Sequence, residues 1–398
     1  MIEEIRIQRY KSIKDLTINF QTPLTGLMGK TGAGKTNVLE GIYLACVLGF
    51  SGVIPQSHQG DIPKGFSVYF KMIVRNKICW YDFKFLFKND RFYIQDSFSI
   101  KDGRKKIELF SKRDPFTVKF YNNSKLIYIP AESSGLGLVK KMIVMPELPE
   151  EFSGLSNYVN EIAGIILDFS KIRFFRTQTI LDPALFLIKD FDLWQQNPFA
   201  VSEDLQFSFE LYDLFKNKPK QFEQFTHQLR KLELIDNIQA SEITAKDEIG
   251  KNYHCMVWRF LVNGKAFPFT ALSQGAQRLI LMLFDIHTNK TTLMLIQQLE
   301  SGIHYALLMD YLQILKEHTI DNKDNKILFS SYSDHMLKVL KPEQMIYLYN
   351  KNNVTRAKRL KPRHLGRFLS HMSPTNSQNE DSGKFLTIKY RGRRLLGL

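Results

Sequence analysis

Cysteine is scarce in this chain of 398 residues: Cys46, Cys79 and Cys255 lie far apart and form no C-x-x-C pair. That excludes a disulfide framework, and the thiols read as core filler in a reducing, cytoplasmic setting. Apolar runs are short. None reaches 18 residues, and no charged-then-apolar leader opens the chain. The sequence therefore predicts neither a membrane span nor a secretory signal, and argues against the membrane subunit of a transporter. Zinc-ligand spacing, a nucleophile elbow and the clustered carboxylates of a metal-dependent nuclease are all missing. Heptads are not sustained, which speaks against a long coiled-coil arm. Acid is short relative to base, with 40 Asp and Glu against 55 Lys and Arg and a net charge of +15. The excess gathers in residues 351–398, where twelve basic residues face only Glu380 and Asp381. Such an end can grip nucleic-acid phosphates or an acidic partner, or form a solvated tail.

What the chain does contain is Gly29-Lys30-Thr31-Gly32-Ala33-Gly34-Lys35-Thr36, followed by Asn37. This fits G-x-x-x-x-G-K-[ST], the phosphate-cradling P-loop. An apolar extended segment, Leu24 to Met28, precedes it, and a helical pattern with Val38, Leu39, Ile42 and Cys46 on one face follows. The glycines let the backbone curl so that successive N–H groups point at phosphate oxygens. Lys35 is expected to reach the β- and γ-phosphates of ATP and the Thr36 hydroxyl to take a place on Mg²⁺. The positive end of the following helix adds to the pull.

Around the P-loop, residues 2–20 read as two short strands about a polar turn at Lys11 to Asp15, and 51–64 as a loop. From Phe66 to Phe120 the apolar period is two, with turn signals at Arg75-Asn76, Asn89-Asp90 and Asp102-Gly103. This predicts an antiparallel meander of four or five strands, whose aromatics are explained by a half-buried sheet. Residues 135–235 read as mostly helical, with segments near 155–170, 183–195, 204–216 and 221–232. Two strands return at 254–262 and 265–269 around Asn263-Gly264, a hairpin turn. Later come a four-residue buried strand, Leu293 to Ile296, and strands at 326–329 and 345–349. Residues 372–383 read as a flexible link and 385–391 as a short terminal strand.

The hairpin is followed by Leu272-Ser273-Gln274-Gly275-Ala276-Gln277-Arg278, with Ser273 placed to cap an apolar helix. Here the chain resembles the ABC-type ATPases, and within them the soluble RecF/OLD/SMC-like group, which carry a signature such as L-S-x-G-x-x-R. The resemblance implies an α/β fold: a P-loop ABC-type ATPase head with an antiparallel β subdomain and a helical insertion subdomain. Residues 1–134 would form lobe I, 135–250 the helical insertion or lid, 251–350 lobe II and 351–398 a basic C-terminal extension. It also implies a homodimer with ATP sandwiched head to tail. The signature residues Ser273, Gln274 and Gly275 would then meet the γ-phosphate held by the P-loop of a second copy.

After the buried strand the family has two acids and then a turn like Glu-Asn-Gly-Leu-His. The turn is present as Glu300-Ser301-Gly302-Ile303-His304, but Gln297 stands where the family carboxylate holds Mg²⁺ and Gln298 where its glutamate polarises the attacking water. An amide carries no charge for a metal and accepts no proton at neutral pH. The expectation is a chain that binds ATP and dimerises but hydrolyses slowly or not at all. Two origins fit, a pair engineered to trap the ATP-bound state or a natural binding-only site, and the intact surroundings favour the first. Further on, Tyr332 takes the place of the family histidine that touches the γ-phosphate, with His335 three residues later. For the lid glutamine only a candidate region, Tyr128 to Ser133, can be named.

By this resemblance the chain is a stand-alone AAA-type ATP-binding protein of a prokaryotic antiphage defence system. It would act as a sensor controlling a separate effector, a nuclease or toxin. A RecF-type DNA-repair clamp is the alternative, binding nucleic acid through its basic surface. A scaffold with a structural nucleotide is the third reading, kept alive by the Gln297/Gln298 pair.

Overall fold

A computed structural model describes residues 2–51, 62–74, 76–88, 91–121, 126–144, 172–176, 185–196, 203–246, 252–288, 292–333, 336 and 339–359. The chain opens with a hairpin of β1 (Ile2–Tyr10) and β2 (Ile13–Asn19), followed by β3 (Leu24–Met28), the glycine loop and α1 (Lys35–Ser51). A meander follows: β4 (Ser67–Val74), β5 (Lys77–Lys88), β6 (Arg91–Asp102), β7 (Lys105–Lys112), β8 (Thr117–Phe120) and β9 (Leu126–Tyr128). Next come α2 (Gly135–Val144), β10 (Ile172–Phe175), β11 (Leu185–Leu187), α3 (Ile188–Gln196), α4 (Glu203–Asn217) and α5 (Pro219–Lys231). The second half holds β12 (Asn237–Lys246), β13 (Asn252–Val262), β14 (Lys265–Phe267), α6 (Gln274–Thr288), β15 (Leu293–Ile296) and α7 (Tyr305–Asp321). β16 (Lys326–Ser330), β17 (Met345–Lys351) and β18 (Val354–Arg359) follow.

Three sheets organise these elements. The meander and the opening hairpin merge into one antiparallel sheet of eight strands, ordered β2-β1-β4-β5-β6-β7-β8-β9. A second sheet, β10-β15-β16-β3-β17-β18, is parallel from β10 to β17, and β18 folds back antiparallel on β17. The third pairs β11 and β12 on either side of β13, with β14 completing the hairpin through Asn263 and Gly264, both at positive φ (51° and 73°). Positive φ at both turn residues is what a two-residue hairpin of this hand requires.

The parallel sheet is buried on both faces. Leu293 and Leu295 enter a core shared with the antiparallel sheet and α1, whereas Met294 and Ile296 enter a second core shared with the later helices. A strand packed on both sides must be apolar at every position, and β15 has no other room in its four residues. The result is a layered α/β P-loop head with an antiparallel β subdomain and a helical region between its two halves.

The span read as mostly helical is interrupted by strands. β10 pairs parallel with β15, β11 pairs with β13, and the helix expected from 183 starts only at Ile188. β12 likewise joins β13 across residue 250. β10 and β11 carry too few residues to show a period, and pairing with distant strands decides them, whereas β12 is a mostly polar strand held by its neighbour β13. The helix expected near 155–170, His335, and the link and strand expected beyond 372 lie outside the described residues. No described helix is long and apolar enough to cross a membrane. All three cysteines are buried thiols outside any disulfide, as core filler should be.

A buried polar cluster fixes α2 to the meander. The Asp96 carboxylate accepts hydrogen bonds from the N–H groups of Gly135 (2.8 Å) and Leu136 (3.0 Å) and from the Tyr81 hydroxyl (3.2 Å). It thereby occupies the positive end of the helix. Nearby, Lys112 donates to the carbonyls of Pro130, Ala131 and Ser133. Burial pushes the Asp96 carboxyl up to about 6, against the opposing pull of the two backbone N–H groups, Lys112 and Tyr81. Asp96→Ala should cost about 2–3 kcal/mol of stability. A carboxyl raised above its unfolded value stabilises the fold most below the unfolded pKa, and that contribution fades as pH climbs from about 4 through about 6. Chemical denaturation should therefore find Asp96→Asn less destabilising at pH 7 than at pH 4.5.

Candidate functional site

β3 ends in a loop that only glycine can follow. Gly29 and Gly34 take φ of 148° and 94°, and a Cβ on either would lie within 2.3 Å of the Leu348 carbonyl or 2.1 Å of Thr355 Oγ1. Gly32 faces open space, with nothing within 4 Å of a built Cβ. Thr31, Gly32, Ala33, Gly34, Lys35, Thr36 and Asn37 line one cavity of about 250 Å³, together with Ser12, Gln298, Ser330 and Tyr332. The start of α1 points its unpaired N–H groups the same way. Lys30 and Thr31 are exposed, whereas Lys35 is buried and its ammonium donates to the carbonyls of Gly29 (2.5 Å) and Lys30 (3.0 Å). Burial lowers the Lys35 pKa, and Glu300 partly offsets it.

The far side of the cavity comes from the end of β15. The Gln297 N–H donates to the Phe175 carbonyl at 2.9 Å, and its side-chain amide reaches the Thr36 hydroxyl at 3.3 Å. Gln298 sits at φ 48°, a left-handed conformation that costs a non-glycine residue roughly 1–3 kcal/mol. It is held there from two sides: its N–H donates to Ser330 Oγ at 2.8 Å, and its carbonyl accepts from Arg278 at 2.7 Å and from the Ser301 N–H at 2.9 Å. Tyr332 is 49% exposed at the mouth, with its N–H on Glu300 Oε1 at 3.0 Å. The other carboxylate oxygen of Glu300 is buried and has no hydrogen-bond partner among the described residues.

The signature lies elsewhere on the chain's surface. Ser273 caps α6 by accepting from the Ala276 N–H at 3.2 Å, and the Gln277 side chain donates back to the carbonyls of Thr270 and Leu272. Ser273 and Gln274 are exposed, and neither they nor Gly275 line the P-loop cavity of their own chain. Gly275 packs on the turn after β15: a Cβ there would fall 1.9 Å from the Gly302 carbonyl oxygen. One turn later Arg278 is buried and donates to the carbonyls of Gln297, Gln298 and Ser301. Burial lowers its pKa, and electrostatic attraction to Tyr311 and Glu300 pulls the other way. The signature helix is thus fastened to the loop that carries Gln297 and Gln298.

A nucleotide fits this donor set. The cavity offers curled backbone N–H groups, a buried ammonium and a hydroxyl, and the open face at Gly32 admits a polyphosphate. For Mg²⁺ the protein brings the Thr36 hydroxyl and the neutral Gln297 amide, whose oxygen and nitrogen exchange places by rotation. Mg²⁺ commonly takes one or two protein ligands and fills the rest with water and substrate phosphates. Among the described residues no group of three or more His, Cys, Asp or Glu could hold a metal by itself. Arg278, Glu300, Ser330 and Ser12 had no assigned part in the sequence reading. Arg278 and Glu300 stand inside the signature and the turn after β15, Ser330 opens the segment that carries Tyr332, and Ser12 sits in the polar turn between the first two strands.

The family described as "AAA domain, putative AbiEii toxin, Type IV TA system" matches residues 24–337. Among solved structures, similar chains include an SmcHead bound to the C-winged helix domain of ScpA, at 11% identity and a TM-score of 0.49, covering 91% of this chain and 98% of that one. The SMC head domain from Thermotoga maritima is similar at 10% identity and a TM-score of 0.43, covering 90% and 99%. An Smc head domain with an extended coiled coil, bound to the C-terminal domain of ScpA derived from Pyrococcus furiosus, is similar at 13% and 0.39, covering 93% and 99%. No curated protein sequence matches the chain.

Proposed function

Since the chain belongs to the AAA-domain family linked by name to AbiEii and type IV toxin–antitoxin systems, we propose that it is a regulatory ATP-binding ATPase of a prokaryotic antiphage defence system, controlling a separate nuclease or toxin effector. Two copies close head to tail on ATP. One observation carries the dimer: the capped, exposed signature end of α6 has no place in its own chain's P-loop cavity. A second copy supplies the missing wall. The family's connection to toxin systems supports the effector reading.

Within each site the residues divide the work. Lys35 and the loop N–H groups bind the phosphates, and the helix start adds its dipole. Bound Mg²⁺, beside Thr36 and Gln297, would neutralise phosphate charge. Gln298 orients a water in the cavity but cannot take its proton, so turnover is slow and the ATP-bound dimer is long-lived. Tyr332 offers a hydroxyl donor at the mouth.

Lys35→Ala should abolish ATP-dependent dimerisation, read by light scattering with and without ATP. Dimers that still form on ATP addition would count against the site. A second reading, a RecF-type clamp on DNA, is favoured by the net charge of +15. Tight DNA binding by the lone protein, falling steeply with salt, would select it. Co-purification with the product of a neighbouring effector gene would select the first reading. Nucleotide that never exchanges, at constant oligomeric state, would select a scaffold.

A further inference from the structure

The turn between β1 and β2 enters the nucleotide cavity through one residue. Ser12 lines the cavity, and its hydroxyl touches two others across the fold: Asn37 Nδ2 donates to it at 2.7 Å, and Thr355 Oγ1 lies 2.7 Å away. The Thr355 N–H also donates to the Ser12 carbonyl at 2.8 Å. Thr355 is completely buried, pressed against Gly34 of the P-loop. Resting on the nucleotide reading above, we propose that Ser12 is a phosphate-binding residue of this site, its hydroxyl proton aimed into the cavity by Asn37 and Thr355.

The argument is a count of protons. Two hydroxyls share one contact, so one proton lies between the oxygens and one is left over. If Ser12 donates to Thr355, the leftover proton belongs to Thr355, which is buried and has no other acceptor among the described residues. A buried donor without a partner is costly. If Thr355 donates to Ser12, the Ser12 oxygen accepts from both Asn37 and Thr355, and both its lone pairs are used. Its own proton can then go only outward, toward the cavity it lines. A phosphate oxygen there completes the network with a charge-assisted hydrogen bond. The same contacts explain Asn37, which follows the P-loop motif. Its side chain orients Ser12.

The test is a titration of the full chain with fluorescently labelled ATP and Mg²⁺, with the thermal midpoint in the absence of nucleotide as the folding control. Ser12→Ala and Thr355→Val should each weaken binding roughly tenfold, the scale of one hydrogen bond to a charged group. Combining them should weaken binding no further than Ser12→Ala alone, because both act on one proton. Thr355→Ser should bind as the wild type does. Ser12→Ala lies in a partly exposed turn and carries the test even where a Thr355 variant fails to fold. Wild-type affinity in Ser12→Ala, or fully additive losses in the double variant, overturns the proposal. Undiminished binding by Lys35→Ala would instead overturn the nucleotide reading beneath it.

Discussion

Arg278→Ala is expected to cost about 3–5 kcal/mol of stability and to release the loop that carries Gln297 and Gln298. The guanidinium is buried and serves the carbonyls of Gln297, Gln298 and Ser301 at once. Truncation takes the donor from the Gln297 and Ser301 carbonyls, leaves the Gln298 carbonyl only the Ser301 N–H, and opens a cavity beside Tyr311, which is itself fully buried. Gln298 then loses one of the three ties on its left-handed backbone and keeps those to Ser330 and the Ser301 N–H. Arg278→Lys is not a mild change here, because a single ammonium cannot span three carbonyls as a planar fork does. Denaturant titration should show the lowered midpoint in both variants, larger in alanine. Nucleotide should bind to the P-loop of the folded fraction with near wild-type affinity, since Arg278 does not line that cavity. A variant as stable as the wild type would mean that solvent reaches these carbonyls and that the signature helix is not fastened through this residue.

The Arg278 contacts also show where reading the sequence stops. The P-loop was legible because its chemistry is local: eight consecutive residues, a strand before and a helix after, and the structure begins α1 at Lys35. β15 was legible because burial on both faces leaves only apolar residues in it. β10 and β11 were not, since each is made by a partner far along the chain and nothing in four or three residues announces that partner. The site divides the same way. Gln297 was set against Thr36, 261 residues earlier, only through resemblance to a family, and the two side chains do meet at 3.3 Å. No pattern linked Ser12 to Thr355, 343 residues apart. Gly275 and Gly302 stand in two separate motifs, and neither motif announces that a Cβ on Gly275 would fall 1.9 Å from the Gly302 carbonyl oxygen. Contacts of this kind depend on how layers stack, which single-sequence periodicity does not encode.

Gln298→Glu should raise ATP turnover by roughly 100-fold or more, the scale on which a positioned general base acts. Glutamate matches glutamine in shape, and the backbone position is already fixed by Ser330 and Arg278, so the new carboxylate would occupy the place where Gln298 lines the cavity. There it can accept the proton that the amide cannot. The added negative charge faces the triphosphate, but Lys35 stands in the same cavity to offset it, so ATP affinity should change little. Phosphate release under multiple turnover gives the rate, and light scattering should show faster dissociation of the dimer proposed to close on ATP. The gain must vanish in the double variant with Lys35→Ala, which separates it from a contaminating phosphatase. If Gln298→Glu releases phosphate no faster than the wild type, the limit lies at another departure from the family pattern. Tyr332→His in the same background distinguishes the two remaining positions: a gain on adding it points to Tyr332, and continued inactivity points to Gln297, whose neutral amide contacts Thr36.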